Sequence, residues 1–192
     1  LIINEAVSIT TQPDGFQLLC TNDTATLSVV ATGTGLTYQW YNGGTPLVDD
    51  ARISGSTTSI VTIGSLVLTD NSTNYYCVVS GVSPCGDVIS NNAQLSISES
   101  PSFTNQPDIT QTVCVGDAAS FTVTATGGSL NYQWYKGVTL LSDSGTISGS
   151  STATLAISAS ALSDSASDYT CVISNACGFL SSNFAELIVN ER

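Results

Sequence analysis

The 192 residues include 15 Asp and Glu but only three basic side chains, Arg52, Lys136 and Arg192, giving a formal charge of −12. Phosphate recognition needs clustered cations that displace counterions, so this composition excludes a nucleic-acid or anionic-membrane partner, and the scattered acidity reads as a solubilising surface. His and Met are absent and no apolar run approaches the roughly 20 residues of a membrane span, so neither a His-dependent catalytic triad nor membrane insertion is expected.

The chain opens with "LIINE" (1–5), carries "LSISE" at 95–99 and closes with "LIVNE" at 187–191. Sliding it against itself by 94 residues superposes Cys20 on Cys114, Tyr38-Gln-Trp-Tyr41 on Tyr132-Gln-Trp-Tyr135, Asp70 on Asp164 and Cys77 on Cys171. "TQP" ending at Pro13 falls on "NQP" ending at Pro107, and "RISGS" on "TISGS". After Cys77 the second copy is two residues shorter, so Cys85 matches Cys177 and Asn91 matches Asn183; the length change marks a loop. Two homologous units follow, 1–99 and 100–192. Residues 1–6 read as the tail of a preceding unit, and the chain as a window on a longer array.

In chain order, Leu27, Val29 and Ala31 alternate with polar residues, a turn cluster follows at 32–35, then Tyr38 and Trp40, and a second turn at 42–44. Ile60, Thr62, Leu66 and Leu68 continue the pattern. Phe121, Val123 and Ala125, then Tyr132 and Trp134, repeat it, and residues 159–165 allow at most one helical turn. Period-two alternation rich in Val, Ile and Thr predicts short antiparallel strands, and their spacing over about 90 residues predicts an all-β, two-sheet sandwich in each unit.

Each Trp is followed 37 residues later by the Cys of "NYYC" or "DYTC", a pattern that resembles strands C to F of an immunoglobulin-like domain, with Tyr75 and Tyr169 at the tyrosine corner. "VCVGDAASFTVTATG", "YQWYK" and "CVISNACG" are similar, more narrowly, to tandem immunoglobulin-like repeats of Bacteroidetes-type surface and secreted adhesins. The resemblance covers both units. It implies an extracellular or cell-surface location and a structural or adhesive role without catalysis. The strand-B position that usually holds a cysteine is Val29 in one unit and Val123 in the other, so the familiar pin between the sheets is missing.

Three cysteines per unit is an odd number, which in an extracellular chain calls for a bond beyond the unit or a free thiol. Cys77 and Cys171 read as buried, inert thiols. On the strand map that the resemblance supplies, Cys20 and Cys114 sit at one end of the sandwich and Cys85 and Cys177 at the other. Strand rises about 3.3 Å per residue, whereas a disulfide tolerates Cα separations only up to about 6.8 Å. A bridge between units, Cys20 to Cys177, is therefore one reading, with Cys85 and Cys114 left for neighbouring repeats. Bridges within each unit, Cys20 to Cys85 and Cys114 to Cys177, are the other. A zinc site lacks His and CxxC spacing.

Candidate catalytic acids are limited to Asp49 and Asp50, and to Asp70, Asp164 and Asp168 near the turn before the tyrosine corner. Arg52 can pair with Asp70, whereas Thr146 replaces it in the second unit. These acids read as structural; calcium at Asp49 and Asp50 is the functional alternative, although no calcium-loop motif is present. No cofactor is expected. Asn22-Asp-Thr24 and Asn71-Ser-Thr73 fit the N-glycosylation pattern, which matters only in a cell with that machinery. Tyr41 and Tyr135 follow the core Trp and point outward, with Phe179 or Phe184 near the same surface, so they form a candidate ligand face. The sequence thus supports a spacer or adhesion segment whose partners are neighbouring immunoglobulin-like repeats, and beyond these surface glycans or another protein. An accessory carbohydrate-binding module of a secreted polysaccharide-degrading enzyme is the alternative.

Overall fold

The computed structural model describes residues 4–83 and 86–192; Leu1 to Ile3 of the opening stretch, Pro84 and Cys85 lie outside them. The chain divides into two compact units, residues 1–98 and 99–192. The first contains β1 (Ser8–Thr11), β2 (Phe16–Cys20), β3 (Ala25–Ser28), β4 (Val30–Thr32), β5 (Thr37–Asn42), β6 (Thr45–Pro46), β7 (Ile53–Ser54), β8 (Ile60–Ile63), β9 (Ser72–Ser80), β10 (Asp87–Ile89) and β11 (Ala93–Ser98). The second repeats them as β12 (Ser102–Asn105), β13 (Thr110–Cys114), β14 (Ala119–Thr122), β15 (Thr124–Thr126), β16 (Asn131–Lys136), β17 (Thr139–Leu140), β18 (Ile147–Ser148), β19 (Thr154–Ile157), β20 (Ala166–Asn175), β21 (Gly178–Ser181) and β22 (Ala185–Asn190). Helix among the described residues is limited to the 3-10 turns Leu68–Asp70 and Leu162–Asp164.

In the first unit one sheet runs β2-β11-β9-β5-β6, with β10 also on β9, and the other runs β3-β8-β7. The second unit has the same order, β13-β22-β20-β16-β17 with β21 on β20, and β14-β19-β18. Both units are two-sheet sandwiches, as the strand pattern predicted, and they have the immunoglobulin-like form that the resemblance implied. The first segment of each unit changes partner midway: β1 lies antiparallel to β4, and β2 lies parallel to β11 over Phe16–Cys20. Pro13 and Pro107 are buried at the crossing, where the chain leaves one ladder and a missing N–H costs nothing. The preceding Gln is also fixed: Gln12 Oε1 accepts the Asn91 N–H at 2.8 Å, and Gln106 Oε1 that of Asn183 at 2.9 Å. The repeated "QP" is thus a structural motif that closes the last strand onto the first.

The cores gather on the alternating positions, Leu27, Trp40, Tyr75, Cys77 and Leu95 in one unit and Phe121, Trp134, Tyr169, Cys171 and Leu187 in the other. One phase differs from expectation. On β8 the buried residues are Val61 and Ile63, whereas Ile60 is 50% exposed and Thr62 faces away from the core. The register sets Val61 opposite Leu27, so pairing with a core residue decided between two apolar phases that the run "IVTI" left equally plausible. Leu66 is buried, but Leu68 lies on the 3-10 turn and is exposed.

With valine at the usual strand-B cysteine position, the sheets are joined by hydrogen bonds around each Trp. The Trp40 indole N–H donates to the Thr58 carbonyl at 2.9 Å and its backbone N–H to the Ser56 carbonyl at 2.8 Å. Trp134 makes the same two bonds, to Thr152 and Ser150, at 2.9 and 2.8 Å. Those acceptors lie in the turn from the edge strand to the central strand of the opposite sheet, β7 to β8 and β18 to β19, which opens with the repeated "ISGS" segment. The glycine is demanded by the geometry. Gly55 and Gly149 have φ of +77° and +74°, and a Cβ there would stand 2.2 Å from the Ile60 carbonyl oxygen and 2.1 Å from that of Thr154.

Replacing Trp134 with Phe keeps most of the apolar body but orphans the Thr152 carbonyl and leaves a void, so the second unit should lose about 2 kcal/mol in urea unfolding. Gly149→Ala should cost at least as much, because a positive φ and a backbone collision act together. A loss below about 0.5 kcal/mol for both variants would show that this contact does not hold the sheets.

Candidate functional site

The cysteines fall into distinct environments. Cys77 and Cys171 are free thiols with no exposed surface, and burial pushes each up to about 11. Their backbone N–H groups donate to the buried hydroxyls of Ser90 and Ser182 at 2.9 Å, which cap the break between β10 and β11 and its counterpart between β21 and β22. Cys20 and Cys177 are each disulfide-bonded, and Cys114 is a free, partly exposed thiol. The within-unit pairing Cys114 to Cys177 is therefore not formed, although nothing in the spacing alone had excluded it. Cys85 lies outside the described residues.

The candidate acids Asp49, Asp50, Asp70 and Asp164 all accept backbone N–H groups. Asp49 accepts the N–H groups of Ser56 at 2.7 Å and Gly55 at 3.2 Å; Asp143, its repeat equivalent, accepts that of Ser150 at 2.8 Å. Asp50 accepts the N–H groups of Arg52 and Ile53, both at 2.6 Å. These bonds favour the charged form. Asp49 and Asp143 are lowered chiefly by Ser56 and Ser150, and Asp50 chiefly by Ile53. The pair considered for calcium therefore holds the "ISGS" turn in place. Asp70 and Asp164 accept the N–H of Val67 and Ala161 at 2.8 Å. Arg52 binds both oxygens of Asp70 at 2.8 and 2.7 Å, an ion pair with no counterpart at Thr146. Asp168, on β20, stands beside Tyr169 and apart from this turn.

Tyr75 and Tyr169 donate their hydroxyls to the carbonyls of Asp70 at 3.0 Å and Asp164 at 2.7 Å, and burial raises both phenols to about 12. Asn71, one of the two glycosylation-pattern residues, has its side chain tied to the Leu68 and Ile97 carbonyls and the Ile97 N–H. Asn22, the other, is an exposed turn residue with a φ of 71°.

The aromatic face is uneven. Tyr41 stacks on Tyr76 with ring centroids 5.2 Å apart and planes at 7°, so one of its faces is already covered. Tyr135 lies opposite Thr170 and Leu140 in the sheet and has no such partner by register. Phe179 and Phe184 are 78% and 68% exposed. Sequence reading passed over Tyr76; its signal was the register that aligns "YQWY" with "NYYC".

Residues 100–175 match the immunoglobulin domain family. No curated protein sequence matches the chain. Among solved structures, the chain is similar to the I-band fragment I67-I69 from titin, at 23% identity and a TM-score of 0.78, covering 100% of this chain and 67% of that one. It is similar to Sidekick-1 immunoglobulin domains 1-4 at 24% identity and a TM-score of 0.81, covering 97% of this chain and 49% of that one. It is also similar to the extracellular domains 3-5 of Drosophila OTK, at 19% identity and a TM-score of 0.72, over 96% of this chain and 62% of that one. At these identities the likeness establishes the fold. No helix is long and apolar enough to cross a membrane among the described residues.

The buried thiols and phenols set an alkaline limit. Unfolding frees thiols to ionise near 9 and phenols near 10, while the folded chain keeps their protons to about 11 and 12. Stability contributed by these groups is fully present below pH 9 and is lost as pH rises through that window. On the acid side, lowered Asp49, Asp50 and Asp143 contribute stability above their ordinary 3.8 that is lost as pH falls below it. Urea midpoints should be flat from pH 6 to about 8.5 and fall at both ends; a flat profile through pH 11 would contradict the burial of these groups.

Proposed function

We propose that the chain is a structural and adhesion segment of a repetitive extracellular protein, a spacer whose mechanism is mechanical. The observation that carries this reading is the parallel closure of first strand on last in each unit. β2 pairs with β11 from Gln94↔Phe16 to Ser98↔Cys20, and β13 with β22 from Thr110↔Glu186 to Cys114↔Asn190. Parallel neighbours run in one direction, so tension entering a unit by its first strand and leaving by its last loads the whole ladder in shear. The disulfide-bonded Cys20 and Cys177 suit an oxidising, extracellular setting. The likeness of "VCVGDAASFTVTATG" and "CVISNACG" to repeats of Bacteroidetes-type adhesins supports a bacterial surface as that setting. Cysteine arithmetic supports Cys20 paired with Cys177, since Cys77, Cys114 and Cys171 are free.

Single-molecule pulling from the chain ends tests the mechanical role. Two unfolding events are expected, and Val115→Pro, which removes the N–H that donates to the Asn190 carbonyl at the end of the β13–β22 ladder, should lower the force of one by at least a third while leaving the other unchanged. Equal forces with and without the substitution would contradict a load-bearing ladder.

The stacked Tyr41 and Tyr76 pair favours a second reading, an accessory carbohydrate-binding module, because paired aromatic faces can bind sugar rings. A glycan array separates the two: binding that disappears in Tyr41→Ala, with Tyr135→Ala as the companion variant, supports the module, and no binding to any glycan supports the spacer.

A further inference from the structure

We propose that the outer face of the β2-β11-β9-β5 sheet in the first unit binds the same face of a second copy of this chain, in a weak two-fold contact. The inference rests on the adhesion part of the reading above and names its partner. Side-chain direction follows from the register. Leu19, Leu95, Cys77 and Trp40 pack into or against the core, so the alternate residues on each strand point outward. These are Phe16 and Leu18 on β2, opposite Gln94 and Ser96, Tyr76 and Val78 on β9, and Tyr41 on β5, opposite Tyr76. Ile89 on β10, opposite Val78, shares the face. Phe16, Leu18 and Ile89 are 58%, 51% and 63% exposed, and Tyr41 stacks on Tyr76 within the same surface.

The internal comparison shows that the backbone does not require this surface. Where the first unit has Phe16, Leu18, Tyr76 and Ile89, the second has Thr110, Thr112, Thr170 and Ser181, and where it has Asn74 and Gln94, the second has Asp168 and Glu186. One register thus carries an apolar, amide-bearing face in the first unit and a hydroxyl-bearing, charged one in the second. Two positions run the other way, Asp87 against Phe179 and Ser96 against Ile188, which leaves one acid at an end of the face. Otherwise β2, β5, β6, β9 and β11 contain no Asp, Glu, Lys or Arg, in a chain whose formal charge is −12. An exposed apolar patch of this kind marks a contact surface.

Charge and shape select the occupant. Two copies at −12 repel wherever acids face one another, and on this sheet they can meet without opposing carboxylates. A cationic partner would find no counter-charge here. The face is an open pleated surface, and what fits it is another sheet face about 10 Å away, as inside a sandwich. Because the same residues serve both copies, the contact is isologous and closes as a pair. Four strands at about 4.8 Å and about five residues at 3.3 Å give a plan area of roughly 320 Å², less than half of the roughly 800 Å² that each partner of a standard complex buries. The single contact is therefore reversible, with a Kd on the order of 10⁻⁴ M, and gains strength where repeats present many copies together.

Sedimentation equilibrium of the full chain from about 10 µM to 1 mM, with exposed thiols alkylated, tests the contact. A reversible monomer–dimer equilibrium is expected. It should tighten about threefold between roughly 0.05 and 0.5 M NaCl, because salt screens the repulsion between copies and leaves the apolar contact in place. The combined variant Phe16→Thr, Leu18→Thr and Ile89→Ser, which installs the second unit's residues, should weaken dimerisation about tenfold with its urea midpoint kept. Phe16→Thr alone, with a weakening of about threefold, reads the same face should that midpoint fall, and Phe179→Ser should leave dimerisation unchanged. A monomer at about 1 mM, equal dimerisation in these Phe16 variants, or dimerisation that weakens with salt would each overturn the proposal. So would a monomer that binds a glycan array through Tyr76, because the face then belongs to a sugar. Failure of the spacer reading is distinct: loss of the expected pulling behaviour with dimerisation intact removes the mechanical role alone, and a monomer with that behaviour intact removes this contact alone.

Discussion

The hydrogen bonds of each buried Trp to the "ISGS" turn are the constraint on which the rest of each sandwich depends. The core valine that faces Cys77 or Cys171 cannot form a covalent pin, so what fixes one sheet against the other is directional and local. The indole and the backbone N–H of one residue reach two carbonyls of the opposite sheet. The turn that carries those carbonyls is held by a glycine at positive φ and by an aspartate that accepts the N–H of its serine, Ser56 or Ser150. Burying the Trp without these partners would leave several polar groups unsatisfied in a region of low dielectric, where each is expensive. The acids that looked most like chemistry are therefore bound into packing.

The same economy of parts recurs at the edges of the sheets. Gln12 and Gln106 fix the last strand to the crossing of the first, and Ser90 and Ser182 satisfy the strand that carries the buried thiol. Tyr75 and Tyr169 secure the turn before that strand. Where the units differ, the substitutions exchange one solution for another. Arg52 pairs with Asp70 in the first unit, whereas in the second the Ser158 hydroxyl, which has no counterpart at Gly64, donates to the Thr146 carbonyl. Likewise the Ile97 N–H is met by Asn71, and the equivalent Val189 N–H by Ser165.

Much of this architecture was legible in the sequence, because a repeat shows each constraint twice. The Trp, the tyrosine corner, the buried thiols and the "ISGS" turn recur at one spacing, and alternation gave the sheets. The phase of β8 was not legible, since Ile60 and Val61 are both apolar and only the opposing Leu27 selects between them. The parallel pairing of β2 with β11 leaves no periodic signature either, because Phe16 and Leu18 are apolar yet exposed. Asp49 read as structural with calcium as the alternative, and its counterpart Asp143, at the same offset, carries the same backbone contact. A position shared by both units and placed seven residues before the serine it caps is better explained by backbone geometry than by a metal in one loop. The cysteines divided along similar lines: burial followed from alternation, whereas the free state of Cys114 depends on the whole fold.

The central claim, that each sandwich is held by the Trp and its turn without a covalent pin, is tested most directly by near-ultraviolet circular dichroism of the reduced chain. With excess reductant at 25 °C, the signals of Trp40 and Trp134 should persist, with a cooperative urea transition, because the bonds that immobilise the indoles involve no sulfur. Collapse of those signals on reduction would show that a disulfide carries the sandwich and would contradict the account.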